Sequence, residues 1–163
     1  MTMSDGRELL EAARSGDLSG VDALLRRGVS PDTFKEHGQT PLALAAMFGH
    51  TQVASRLIDA GANPNVGDEA GVTVLMTAAE FPRPEIVRLI LAAGADVNAI
   101  SSDGRTALLS AIWSADSNTE VIEALVEAGA DVSVSDANYG LTPREWADKA
   151  GRHTVAELLA EDR

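Results

Sequence analysis

Cysteine is absent from all 163 residues, which excludes disulfides, thiolate catalysis and thiolate-held metals. No apolar run approaches the roughly 18 residues of a membrane span. The opening "MTMSDGRELLEAARSGDL" has no basic head followed by an apolar stretch, so a secretory signal is not expected and cytoplasmic residence is. Positive charge is scarce: 13 Lys and Arg stand against 25 Asp and Glu, a net charge of −12, with no basic stripe. That balance opposes a phosphate backbone and argues against nucleic acid as a partner. Only three histidines occur, and none falls in an H-E-x-x-H pattern. No G-x-S-x-G, P-loop or dinucleotide fingerprint is found either. The expectation is a non-catalytic protein with no cofactor and no metal. Aromatic residues number six: Phe34, Phe48, Phe81, Trp113, Tyr139 and Trp146.

What is present is repetition. "LIDAGANPN" (57–65), "ILAAGADVN" (90–98) and "LVEAGADVS" (125–133) align, with a fainter copy, "LLRRGVSPD", at 24–32. Their glycines, Gly28, Gly61, Gly94 and Gly129, are spaced 33, 33 and 35. A second ladder runs through "GQTPLALAA", "GVTVLMTAA", "GRTALLSAI" and "GLTPREWAD" with a matching period. Within each unit Thr40, Thr73, Thr106 and Thr142 stand where a hydroxyl caps a helix, and Pro41 and Pro143 follow at the first helical position. A second helix with apolar residues at helical spacing ends at the glycine, where a left-handed residue is favoured. A turn-rich excursion then leads to the next unit. With 45% hydrophobic residues the chain has apolar material enough for one core.

A unit of this length carrying T-P-L-x-x-A and G-A-D-V-N resembles the ankyrin repeat over nearly the whole chain. The resemblance implies an all-α repeat solenoid of stacked helix-turn-helix units joined by β-hairpin turns. It divides residues 1–163, a single domain, into an N-terminal cap (4–31), full repeats (32–65, 66–98, 99–133) and a C-terminal cap (134–163). The family's histidine after T-P-L is replaced by Ala43, Met76, Leu109 and Glu145, so somewhat looser hairpins are expected. His50 stands at the family's "GH" position and His153 is taken as its counterpart in the cap; both are expected to be structural. "SADSN" and "DANYG" read as tolerated loop growth.

Such solenoids commonly meet partners at hairpin tips and along the exposed edge of the first helix. The repeat register places Phe34, Glu36, His37, Gln39, Met47 and Phe48 on that face. Glu69, Val72, Glu80 and Phe81 follow in the next unit, then Ile100, Arg105 and Trp113, then Tyr139. Five of the six aromatics fall there, and interface cores favour aromatics, Met and Arg. The expected function is protein–protein interaction through an aromatic stripe with an acidic rim of Glu36, Glu69 and Glu80, suited to a basic or mixed partner surface. Two alternatives stay open. Phe48 and Phe81 could form a packing spine, and the face could pair with a second copy, although a monomer is expected. Trp146 reads as a core position.

Overall fold

The computed structural model describes residues 3–32, 38–114 and 119–160. Ten helices are found among them, in five antiparallel pairs: α1 (Met3–Ser15) with α2 (Leu18–Arg26), α3 (Pro41–Phe48) with α4 (Thr51–Asp59), α5 (Val74–Ala79) with α6 (Pro84–Ala92), α7 (Ala107–Trp113) with α8 (Thr119–Glu127), and α9 (Pro143–Lys149) with α10 (His153–Leu158). An isolated antiparallel bridge joins Gly67 and Thr73. First helices pack on first helices in the order α1, α3, α5, α7, α9, and second helices likewise in the order α2, α4, α6, α8, α10.

The two layers have different sequences for a physical reason. An inner helix touches its pair partner and both neighbouring units, so it must be apolar on nearly all sides. In α3 every residue from Pro41 to Ala46 is buried, and in α5 all six are. Ala45, Ala46, Ala78, Ala79 and Ala111 keep these helices close together. Outer helices have a solvent face and are amphipathic. In α4, "TQVASRLID" buries Val53, Ala54 and Leu57 and turns its polar side outward. Leu57, Ile90 and Leu125 hold one register position in α4, α6 and α8, each fully buried. Burying such a side chain contributes about 2 kcal/mol before entropy is counted. The last unit differs as an end unit should. Helix α9 buries Pro143 and Ala147 and leaves Arg144, Glu145, Asp148 and Lys149 exposed.

The cap positions read from the sequence are occupied as expected. Thr40, Thr73, Thr106 and Thr142 are N-caps whose side chains accept the amide three residues on, and Glu145 completes a capping box with Thr142. Gly61, Gly94 and Gly129 have φ of 89°, 88° and 88°, the left-handed region past a helix end.

Neighbouring units are also joined by a side-chain ladder. Asn65 donates from Nδ2 to Gly94 O (3.0 Å) and accepts the Asp96 amide on Oδ1 (2.7 Å). Asn98 repeats both bonds with Gly129 O and the Asp131 amide, at 3.0 and 2.8 Å. Asp32 makes the accepting half with the Asn63 amide at 2.8 Å. At the next rung stands Ser133, whose hydroxyl turns to Asp131 Oδ1 at 2.6 Å instead.

Candidate functional site: hairpin tips and the ends of the inner helices

The excursions between units are tight turns organised by a polar side chain at their start. Asp68 accepts the amides of Ala70 and Val72, and Ser101 accepts that of Arg105. Consecutive turns are linked by a backbone bond, Ser102 N to Ala70 O at 2.8 Å. Asp136, only 2% exposed, is the most committed of the three. Its carboxylate accepts the amides of Asn138, Tyr139 and Leu141 and the indole N–H of Trp146, at 2.8 to 3.0 Å. Burial alone would raise its pKa; these donors outweigh burial and hold it below the ordinary carboxylate value. Hydrogen bonds likewise lower Asp103 (from Ser101 above all), Asp131 (from Ser133) and Glu145 (from Thr142).

At the C-terminal ends of α1, α3 and α7 the carbonyls need donors, and the next unit supplies them. The N-cap residue of the following outer helix reaches back. His50 Nε2 donates to Arg14 O at 3.0 Å. Arg83 Nη1 donates to Ala46 O at 3.2 Å and Met47 O at 2.5 Å. Arg152 Nη1 donates to Ala111 O at 3.4 Å and Ile112 O at 2.6 Å. A cation at a helix C-terminus is also favoured by the helix dipole. The counterpart of His50 in the last unit is therefore Arg152, the N-cap of α10, and not His153, which is exposed and begins the helix. The sequence marks the position by histidine itself; the position needs only a donor that reaches, and arginine serves. Gly49 makes room for one latch: a Cβ there would lie 2.8 Å from the Arg83 guanidinium, and its φ is 82°.

The sequence-predicted residues separate into three groups. Phe48 closes α3, 47% exposed, with its ring stacked on His50 at 6.4 Å; Phe81 lies in the turn after α5, half-buried, with the Arg83 guanidinium 5.0 Å from its ring centre. Both rings thus lie against latch residues of their own unit. Glu80 and Arg105 form an ion pair between adjacent units (Oε1 to Nη2, 2.5 Å), so Glu80 is not a free rim charge as the sequence suggested. Met47, Gln39 and Val72 are half-buried, and Glu69 is exposed at a turn. Phe34, Glu36 and His37 lie outside the described residues, as does the "ADSN" part of the third-unit insertion.

The third group is aromatic on aromatic. Trp113, at the end of α7, meets Trp146 of α9 edge-to-face at 5.9 Å and 79°. Tyr139 meets Trp146 on another side at 5.5 Å and 89°. Trp146 is half-buried, packed on the core and open to this cluster, so the core reading of it is only half the account. Trp113 is 36% exposed and Tyr139 68%, and Ile100, at the preceding turn, is 56% exposed. Beside the cluster an open cleft of about 520 Å³ is lined by Ile112, Trp113, Trp146, Gly151 and Arg152 among others. Among the described residues no group of three or more His, Asp or Glu could hold a metal, and no helix is long and apolar enough to cross a membrane.

A family profile described as ankyrin repeats (3 copies) matches residues 9–101, and one described as a single ankyrin repeat matches residues 103–137. No curated relative matches the chain at a significant level.

Proposed function

Because the chain belongs to the ankyrin repeat family, whose repeats generally mediate protein–protein interaction and which is typically non-catalytic, we propose that it binds a protein partner along its concave face, anchored at the Trp113 end. The observation that carries this is the exposure of Ile100, Trp113 and Tyr139 on the third and last units, large apolar side chains left to solvent where folding alone would bury them. Aromatic anchors of this type dominate interface energetics. Met47 and Phe48 extend the face toward the N-terminus, and Glu69 supplies an acidic edge. A basic partner surface would be drawn to a chain of net charge −12.

The test is capture of partners from the native cell lysate by the wild type and by Trp113→Ala/Tyr139→Ala, with folding checked by circular dichroism. Loss of an aromatic anchor costs about 2 kcal/mol, so each partner's affinity should fall roughly thirtyfold. Added salt should slow association and leave dissociation nearly unchanged. A folded double variant that keeps every partner at wild-type affinity overturns the face. A dimer mass in light scattering that the double variant reverts to monomer assigns the same face to a second copy instead.

A further inference from the structure

We infer that the notch between Tyr139 and Trp146 is a receptor for a partner's basic side chain, and that the chain's own Lys149 occupies it until the partner arrives. The inference rests on the protein-binding reading above and names the chemistry of the partner at that site.

Lys149 Nζ lies over both rings, 5.3 Å from the Tyr139 centre and 5.2 Å from that of Trp146. Both distances are within the range in which a ring attracts a cation. The two rings are held ready for this. One carboxylate, Asp136, accepts the Tyr139 amide and the Trp146 indole N–H, so the turn carrying one ring and the helix carrying the other are tied to the same anion. Trp113 braces Trp146 edge-on from the neighbouring unit. The same carboxylate also brings negative charge to the edge of the Trp146 ring through its bond to the indole N–H.

Lys149 itself is a weak occupant. It is exposed, on a four-carbon stem with many rotamers, and its ammonium is strongly hydrated. An arginine guanidinium is planar, less hydrated and stacks on aromatic faces, so a partner's arginine displaces the lysine at little cost. The competing account is that Lys149 sits in the last turn of α9 only to complement the helix dipole. Removing the lysine separates the two: a vacated receptor binds an added cation more tightly, and a helix end that has merely lost its dipole partner does not.

Both tryptophans of the chain belong to this cluster, so intrinsic fluorescence reports on it alone. The probe is a capped tri-arginine peptide titrated at constant ionic strength, with its tri-citrulline analogue as the uncharged control. The chains compared are the wild type, Lys149→Met, Lys149→Gln and Lys149→Met/Tyr139→Ala. Vacating the notch should tighten saturable quenching by the arginine peptide about three- to tenfold in both lysine variants. Removing Tyr139 from the vacated notch should reverse most of that gain, and the citrulline peptide should give no saturable change. Lysine variants that bind the peptide no tighter than wild type overturn the inference, as does equal binding of the citrulline peptide. If the peptide behaves as expected and lysate partners are indifferent to Trp113→Ala/Tyr139→Ala, the cation site stands and the concave-face reading falls.

Discussion

Two aromatic regions of this molecule look alike in sequence and are put to different uses. Phe48 ends inner helix α3 and Phe81 follows α5, and each lies against a residue two positions on, His50 or Arg83, that bonds the carbonyls of the preceding unit. Trp113 also ends an inner helix, but it leans on Trp146 of the following unit, which in turn meets Tyr139. The first pair shields a latch, and the second group presents aromatic surface over a tied carboxylate. Phe48 and Phe81 pack on the latch donor two residues later, whereas Trp113 packs on the following unit.

Breaking a latch should have the largest effect. Gly49→Val combines a β-branched residue at positive φ with a Cβ driven into the Arg83 guanidinium, and should cost about 3 kcal/mol in urea unfolding. Gly94→Val carries the same backbone strain with open space around the new side chain, and should cost about 1.5 kcal/mol. The difference isolates the latch, and equal losses would show that it contributes nothing. Arg83→Ala takes the donor from Met47 O and one of two from Ala46 O, which keeps the Gly49 amide, and should cost about 2 kcal/mol, while Arg83→Lys should recover part of that.

The C-terminal cluster should answer to pH before it answers to truncation. With its pKa depressed in the folded state, Asp136 stabilises fully above the ordinary carboxylate range, and that contribution is withdrawn as pH falls below about 4 through the folded pKa. Asp136→Asn sets an amide NH₂ against donors that need an acceptor. It should lower the melting temperature at pH 7 and flatten the fall in stability between about pH 5 and 3, leaving the part due to Asp103, Asp131 and Glu145. An unchanged pH profile would place the linkage elsewhere. Smallest of all, Tyr139→Ala should change stability by under about 0.5 kcal/mol, because its side chain is mostly in solvent, while still weakening partner binding. A large loss of stability would make Tyr139 a packing residue.

The repeat is legible because its markers are backbone requirements. A threonine that caps and a glycine at positive φ recur wherever the chain repeats the same turn, so their period is visible without knowing any contact. Trp113 and Tyr139 are legible as surface from register alone. The latches are not: Arg83 and Arg152 bond to carbonyl oxygens, which every residue possesses, so nothing in the partner's sequence marks the bond. The same blindness shifts the last counterpart of His50 by one residue. Asp136 passes for part of a lengthened loop because its four donors are an indole and three amides brought together only by the fold.

The latches share a direction. In each case the donor comes later in the chain than the carbonyl it satisfies, by 36 residues for His50 and by 40 for Arg152 to Ile112. A ribosome delivers the earlier helix first, so the ends of α1, α3 and α7 wait in water until the next unit emerges and closes them. No unit already docked has to be reopened for its successor. Each of these latches is therefore closed by the unit that arrives later, fastening the helix end that precedes it.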